Sequence, residues 1–453
     1  MKILHALGMT AVFCLWLSPL SARAADAVPR KHALAIPVNM AGRPAGSVEC
    51  SVTAGPTVPV TALAFSPDGK SLAAGGYREV LLWDLARAKL AKRIAADGQV
   101  GAVAFLKDGK TLVVGEGTPC TSGDVRFLDL PSGEETFRSD LPKDVVCSLA
   151  LSPDGKLLAA SGAYQPAHVW NVDEKKLAAT LGGHGDWVLR VSFSRDGKLL
   201  TTAAADNTAQ VWSVKDWTSV AKFTEAQPVR GSAFHTDGLQ VLLANGGSRG
   251  SGLRFRKTDN PSYRRPIGIG PAIPLSMVGP SKASRVYVPC SDKTVKVFDI
   301  SNGRQLATLS GHQDWVHSVA LSPDETKLAS GSADGTVKLW STQDGRLLAT
   351  LAQLAPRTDE WLILTAQGHF ATSSPGALAW KTAKGPALPG QLIASLQSPE
   401  SVVKAIADEK PTPKPKAKPT PKTKAQENSK PKPKSEEKPK QKAQPPAPKD
   451  ISN

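Results

Sequence analysis

Histidine and aspartate residues that stand close together along the chain are the first candidates for acid–base or metal chemistry. His184 precedes Asp186 by two residues, His312 precedes Asp314 by two, and His317 follows shortly after. Imidazole and carboxylate groups can act as a general-base pair or as metal ligands. The two pairs, however, occupy matching positions in a sequence unit that recurs along the chain. This repetition favours a structural network over an active site.

A glycine-rich run, 246–252, has the composition of a phosphate-binding loop. It lacks the closing Gly-Lys-Ser/Thr, and it joins strand to strand with no helix N-terminus to receive an anion, so we interpret it as a long turn. No His-Glu-x-x-His or Cys-x-x-Cys motif occurs. We therefore predict no catalytic residue, no metal and no cofactor, and that the protein is not an enzyme.

The recurring unit is a β-hairpin followed by a third strand. An alternating apolar strand ends in an Asp-Gly turn and leads into a second strand, which is typical of a hairpin. Copies of the first strand and turn lie at 63–69, 103–109, 149–155, 191–197, 233–238 and 319–325. The third strand ends in a bulky residue, and 40 to 45 residues separate one such residue from the next: Trp83, Leu128, Trp170, Trp212, Phe255, Phe298, Trp340 and Trp380. This period predicts the four-stranded blades of a propeller.

The repeats resemble those of the WD40 family. The resemblance rests on Leu81-Leu82-Trp83-Asp84, Val295-Lys296-Val297-Phe298-Asp299 and the segment from Gly335 to Trp340. It implies an all-β fold, a WD40 β-propeller over residues 46–384, similar to those of exported bacterial WD40 proteins.

The number of blades depends on how the last one is completed. Seven units are clear, and an eighth, from Trp361 to Trp380, is degenerate. The N-terminal segment Ser47–Val52 matches the fourth strands of other units, and it would close the last blade without leaving an inner edge unpaired. We therefore expect eight blades, with seven as the alternative.

In WD40 proteins, a His, a Ser or Thr, an Asp and a Trp form a buried hydrogen-bond network within a blade. The resemblance implies two complete networks here, in which each polar group satisfies the next. They are His184, Thr202, Asp206 and Trp212 in one blade, and His312, Ser330 or Ser332, Asp334 and Trp340 in the other.

Partners of a propeller bind the loops on its faces, because the strands are used in pairing and packing. Candidate partner-binding residues are three tryptophans that follow an acidic residue, Trp187, Trp315 and Trp361, and three arginines around the fifth blade, Arg249, Arg254 and Arg256. The alternatives are tryptophans packed between blades and a solvated arginine rim.

Four cysteines follow the N-terminal segment, an even number that suits an oxidising compartment. Cys120 and Cys147 fall on adjacent blades toward one face in this topology. We expect a disulfide between them, and free buried thiols are the alternative.

The two ends of the chain have their own compositions. Residues 1–24 resemble a cleaved signal peptide, with an apolar run too short for a membrane span and Ala22-Arg23-Ala24 before the expected cleavage site. Residues 25–45 are expected to form an N-terminal extension and residues 385–409 a short helical segment. Within that segment, a capped helix is expected to begin at Ser398. Residues 410–453 hold 13 lysines against four acidic residues within a net charge of +16, which predicts a disordered Lys/Pro-rich tail.

These features together predict an exported protein, periplasmic, cell-surface or extracellular, that acts as a monomeric scaffold for other proteins. The basic tail could also hold an anionic envelope polymer, whereas a nucleic-acid partner is not expected because the tail lacks aromatic residues for base stacking. No transmembrane span is expected in the mature chain. The alternatives are a propeller hydrolase acting on envelope glycans or esters, and an adhesin that acts through its tail.

Overall fold

A computed structural model describes residues 32–38, 48–54, 58–141, 143–163, 166–247, 250–279, 284–382 and 390–407. The predicted signal peptide (1–24) and the predicted tail (410–453) lie outside the described residues. No helix in the described ranges is long and apolar enough to cross a membrane.

The first strands form a hairpin and then a curled sheet. The hairpin consists of β1 (His32–Val38) and β2 (Val48–Ala54). The curled sheet contains β3 (Ala62–Phe65), β4 (Ser71–Gly75), β5 (Tyr77–Asp84), β6 (Lys89–Phe105), β7 (Thr111–Thr118), β8 (Ser122–Asp129) and β9 (Glu135–Ser139). β6 has 17 residues, and its first part pairs with β5 while its second part pairs with β7. The curled sheet therefore holds two blades joined by one bent strand.

Three four-stranded antiparallel blades follow. The third blade is β10 (Val146–Leu151), β11 (Leu157–Gly162), β12 (Ala167–Asn171) and β13 (Lys176–Leu181). The fourth is β14 (Val188–Phe193), β15 (Leu199–Ala204), β16 (Thr208–Ser213) and β17 (Ser219–Thr224). The fifth is β18 (Val229–Phe234), β19 (Gln240–Gly247), β20 (Gly250–Lys257) and β21 (Arg265–Gly268).

The sixth blade lacks a regular first strand. It has β22 (Arg285–Pro289), β23 (Thr294–Asp299) and β24 (Gln305–Ser310). Where the first strand would lie, only Pro274 and Val278 make isolated bridges, to Cys290 and Tyr287. Proline has no N–H to donate to a strand ladder, which accounts for the irregular backbone of this segment.

The seventh blade continues into extra strands. It consists of β25 (Val316–Leu321), β26 (Lys327–Ser332), β27 (Thr336–Ser341) and β28 (Leu347–Gln353), and β29 (Trp361–Thr365) and β30 (Phe370–Thr372) extend the same sheet. β31 (Leu378–Thr382) pairs instead with β2. The helices α1 (Gly390–Leu396) and α2 (Pro399–Ile406) follow, and the Ser398 hydroxyl accepts the Ser401 N–H at the start of α2.

Equivalent residues occupy equivalent sites in the blades. Trp83, Trp212 and Trp340 are each at most 7% exposed on a third strand, and each follows a β-bulge against the fourth strand. The hairpin turns repeat as well. Their glycines have positive φ, as at Gly155, where φ is 83°, and Glu325 adopts the same conformation at 58°. The predicted all-β propeller of repeated blades is thus confirmed.

The expected eight-bladed ring is not confirmed. The seventh blade packs directly on the first: Val60 N–H donates to the Ser332 carbonyl at 3.0 Å, and Val60, Ala74, Ala329 and Leu339 share one apolar cluster. This contact closes the ring after seven blades. β29 and β30 pair beyond β28, on the outside of the seventh blade. The predicted pairing of the N-terminal strand with the Trp380 strand exists, but that sheet is not a blade of the ring.

Candidate binding site in the central channel

In the fourth blade, the four predicted network residues come together. His184 Nε2 lies 2.7 Å from Thr202 Oγ1, and its Nδ1 lies 3.1 Å from Asp206 Oδ2. Trp212 Nε1 donates to the same Thr202 oxygen at 3.0 Å. Burial alone would raise the pKa of Asp206, but the hydrogen bonds from His184 and from the Gly185 N–H outweigh it and lower that pKa.

The seventh blade repeats this arrangement with a serine. His312 Nε2 lies 2.8 Å from Ser330 Oγ, its Nδ1 lies 3.0 Å from Asp334 Oδ2, and Trp340 Nε1 donates to Ser330 at 2.8 Å. Ser332, which was the alternative to Ser330, donates instead to the Asp314 carbonyl. Burial lowers the pKa of His312. In both blades the His–Asp pair is enclosed by its own blade, so neither pair presents its polar atoms to a substrate.

The three candidate tryptophans differ in exposure. Trp187 is only 3% exposed and packs with Val145 and Ala163 of the neighbouring blade, so it cannot present its ring to a partner, and the prediction for this residue was wrong. Trp315 is partly exposed in the loop that leads into β25. Trp361 is partly exposed too, and its ring meets the Trp83 ring edge-on, with the centroids 6.4 Å apart.

The arginines of the fifth blade are used largely within the fold. Arg256 is fully buried, and its Nε donates to Glu225 Oε1 at 2.7 Å, which excludes it from partner binding and corrects the prediction. Arg254 shares the same carboxylate, 2.9 Å from Nε to Oε2, and remains about one-third exposed. Arg249 lies outside the described residues.

The glycine-rich run around Arg249 is a hairpin connection, since Gly247 pairs with Gly250 across β19 and β20. Residues 246–250 of this run also match the motif Gly-x-Ser-x-Gly, but they connect two strands, whereas a nucleophile elbow requires a turn from a strand into a helix.

The predicted disulfide is absent, because Cys120 and Cys147 are both free thiols. Cys120 is exposed in the β7–β8 turn, where its backbone N–H donates to Asp144. Cys147 lies on β10 and lines the cavity at the centre of the ring. Burial, together with the charge of Asp144, raises the pKa of the Cys147 thiol to about 12.

A cavity of about 210 Å³ lies at the centre of the ring, where the inner strands begin. Every blade contributes to its wall. The lining includes Thr61 and Gln99 from the first two blades and, from the others in order, Cys147, Leu189 and Arg190, Arg230, Ser276, and His317 with Ser318.

A repeated β-bulge directs these side chains into the channel. In the second, third, fourth, fifth and seventh blades, the first strand skips one residue in its pairing with the second strand. The skipped residues are Gly101, Cys147, Leu189, Arg230 and His317. Each of them lines the cavity. Bulges re-aim a residue out of the regular ladder, so this feature accounts for five of the residues that line the channel.

The channel wall is basic. Arg190 and Arg230 line it, and no acidic residue is found among the described residues that surround the cavity. Burial lowers the pKa of Arg190 to about 10, lowers that of Arg230, and lowers the pKa of His317 to about 4. Arg190 also borders a second cavity, of about 430 Å³, that continues along β14 and β18. His317 was a candidate for acid–base or metal chemistry in the sequence, whereas Arg190 and Arg230 were not predicted. Arg230 and His317 share one pattern, since each directly follows the valine that begins its first strand, and Arg190 lies one position further along.

An acidic group on the second blade has the geometry of a metal site but is neutralised. Asp97, Glu116 and Asp124 bring their oxygens within 4.8 Å of one another. Arg138 contacts Asp97 at 3.1 Å and Asp124 at 2.9 Å, and Arg126 contacts Glu116 at 3.2 Å. The guanidinium groups of Arg126 and Arg138 therefore neutralise these carboxylates in place of a metal ion.

Three segments of the chain, 48–84, 175–213 and 303–341, match the family described as WD domain, G-beta repeat. They contain Trp83, as well as Trp212 and Trp340 of the two hydrogen-bond networks.

Similar proteins include three eukaryotic ones. The chain is 28% identical over 201 residues to the transcriptional corepressor LEUNIG_HOMOLOG of Arabidopsis thaliana, covering 44% of the chain and 24% of the relative. It is 32% identical over 75 residues to the nuclear distribution protein PAC1 of Coccidioides posadasii, covering 16% of each. It is 36% identical over 61 residues to the guanine nucleotide-binding protein subunit beta of Schizosaccharomyces pombe, covering 14% of the chain and 20% of the relative. The matches span about a quarter or less of these relatives' lengths.

Proposed function

Because the chain is a WD40-repeat protein, we propose that it is a non-enzymatic scaffold whose ring holds other proteins through its surface loops. WD40 proteins generally act as protein-interaction scaffolds. The observation that carries the proposal is the use of His184 with Asp206 and of His312 with Asp334 in networks within their own blades, since these histidines were the acid–base candidates of the sequence. Repeated blades packed in this way give a ring that holds its loops in fixed positions.

The contact face of this scaffold is the one that carries the loops leading into each blade. Trp315 supplies a partly exposed indole there, and the same face opens into the channel. A partly exposed aromatic side chain beside a polar cavity is typical of the centre of a protein interface. Trp187, by contrast, belongs to the packing beneath this face.

The scaffold would work outside the cytoplasm, with its tail as a tether. The support is the composition of residues 1–24, which resembles a signal peptide, and the 13 lysines of residues 410–453, which could hold an anionic envelope polymer through charge that salt screens. Mass spectrometry of the N-terminus of the protein made in its own host tests the location. A mature chain that starts at Ala25 is expected, and an N-terminus that still includes Met1 from the same cells would contradict export.

An affinity experiment with three baits tests the scaffold. The baits are the full chain, the chain ended before Lys410, and the full chain with Trp315→Ala, with Leu306→Ala as the control because Leu306 is 45% exposed on the outer strand β24. We expect the tail-less and Leu306 baits to recover the same specific proteins and the Trp315 bait to lose them. Loss of all binding on removal of the tail would support the adhesin instead, and turnover of envelope glycans or esters by the purified protein would overturn the non-enzymatic proposal.

A further inference from the structure

We propose that the central cavity binds a small oxyanion, a carboxylate or phosphate group, held by Arg190 with Arg230, Ser276 and Ser318. All four residues line the same cavity, and they come from the fourth, fifth, sixth and seventh blades. The site therefore exists only when the ring is assembled. It does not depend on the ring binding any protein partner.

Arg190 carries more donors than the fold uses. A guanidinium group has five N–H donors, and within the described residues Arg190 makes one hydrogen bond, from NH2 to the Met277 carbonyl at 3.4 Å. No acidic residue of the described chain lines the cavity, and no carboxylate acts on the pKa of Arg190, which burial alone lowers. Arg256 provides a contrast, because it is fully buried and has Glu225 against it, whereas Arg190 is only partly buried and lies beside no such carboxylate in the cavity wall. A cation taken out of water without a counter-charge is costly, and an anion in the cavity would offset that cost.

Two hydroxyl groups in the same wall also lack a partner. Ser276 is 5% exposed and Ser318 is 8% exposed, and neither Oγ has a hydrogen-bond partner in the described part of the chain. Buried hydroxyl groups in folded proteins are nearly always hydrogen-bonded. These two are buried behind the wall, and rotation about χ1 can turn each hydroxyl toward an acceptor in the cavity. By comparison, Thr61 and Gln99 of the same wall are bonded to each other at 2.8 Å.

The size of the cavity limits the ligand. Its volume of about 210 Å³ is below the roughly 300–1,000 Å³ of pockets for drug-sized ligands. A free phosphate, a small dicarboxylate or one acidic side chain of a partner would fit. The guanidinium and hydroxyl groups around the cavity can donate several hydrogen bonds to the oxygens of one oxyanion.

Binding is tested on the full chain by isothermal titration calorimetry with three probes: inorganic phosphate, succinate and N-acetylglutamate amide. Phosphate and succinate represent free anions, and the amide represents the side chain of a partner. Arg190→Gln is compared with Arg304→Gln, which removes an exposed arginine on the β23–β24 turn. Both variants keep the lysine-rich tail, so a difference between them reports the channel alone. Arg230→Gln and Ser276→Ala serve as second variants, and circular dichroism checks that each variant is folded.

We expect saturable binding of at least one probe, with a Kd raised about tenfold or more by Arg190→Gln and unchanged by Arg304→Gln. Two results would overturn the proposal. One is no saturable binding of any probe up to 10 mM, and the other is an affinity equal to that of the unchanged chain in the folded Arg190→Gln or Arg230→Gln variant.

Discussion

Ser330 is the residue through which the network of the seventh blade can be measured. Its hydroxyl oxygen meets both His312 Nε2 and Trp340 Nε1 at 2.8 Å, and it is fully buried. Ser330→Ala removes one oxygen and leaves two buried polar groups without a partner. Each such group costs about 1–3 kcal/mol, and neighbouring groups relax in part, so we expect the free energy of unfolding to fall by about 2–4 kcal/mol.

Ser161→Ala is the matched control. Ser161 is also fully buried, on β11, the second strand of the third blade, but its hydroxyl has no hydrogen-bond partner among the described residues. Removing an unsatisfied hydroxyl is expected to change stability by less than about 1 kcal/mol, or to stabilise the fold. Urea unfolding at pH 7, followed by tryptophan fluorescence and by circular dichroism, gives both values. Equal unfolding midpoints for Ser330→Ala and Ser161→Ala would refute the assignment of the network as a source of stability.

Three further predictions concern charge and thiol chemistry. Because burial lowers the pKa of His317 to about 4, the unfolded chain binds a proton at a higher pH than the folded chain does. The free energy of unfolding should therefore fall by up to about 1.4 kcal/mol per pH unit from pH 6.5 to 4. In urea unfolding across this pH range, His317→Gln should show a smaller dependence of that free energy on pH than the unchanged chain. Glu225→Gln leaves the buried Arg256 without its counter-charge and should lower the free energy of unfolding by about 3–5 kcal/mol in the same urea assay, whereas a loss below 1 kcal/mol would contradict a role for this pair. Cys120 should react with a thiol reagent at pH 8 well before Cys147, whose pKa of about 12 keeps it protonated; a disulfide-linked peptide of the two in a non-reducing digest would contradict the free thiols.

The repeated blades could be predicted from the sequence because their determinants are local. The Ser-Pro-Asp-Gly turns carry their own hydrogen bonds, as when Ser152 Oγ donates to Asp154 at 2.6 Å within the turn. The bulky residue that ends each third strand is buried in the structure, as at Phe298, because the third strand is covered on both faces. In β23 the four residues from Val295 to Phe298 are all buried. The turn residues and the bulky apolar residue that ends the strand both lie within short stretches of sequence.

The number of blades was not predictable in this way. Both the seven- and eight-bladed interpretations account for the repeats, and the difference lies in whether Val60 packs on Gly331 or on a further sheet. In the structure a Cβ at Gly331 would lie 2.6 Å from Val60 Cγ1, so a glycine at this position permits the close approach of the first and last blades. Such a contact joins residues some 270 positions apart, and no local pattern encodes it.

Arg230 could not be placed in the channel from the sequence, for a related reason. An arginine after a valine on an apolar strand, as at Arg230, has the ordinary alternation of a solvent-facing residue. Only the bulge that skips it in the pairing turns it toward the axis, and the bulge is a property of two strands together. Trp187 and Trp315 show the same limit: both follow an aspartate in equivalent loops, yet the neighbouring blade covers one more than the other.

The last helix, α2, packs on the junction between the seventh and first blades, and its contribution to stability can be measured. Val402 of α2 is fully buried and belongs to the apolar cluster that joins the seventh blade to the first, whereas the adjacent Val403 is only partly buried against it. Val402→Ala removes two methyl groups from this packing and should lower the free energy of unfolding by about 1–3 kcal/mol, while Val403→Ala on the same helix should cost less than half of that. Both substitutions raise helix propensity equally, so the comparison isolates burial. Urea unfolding of the two variants measures it. If the two cost the same, α2 does not pack on the junction in solution, and the closing contact between blades rests on the strands alone.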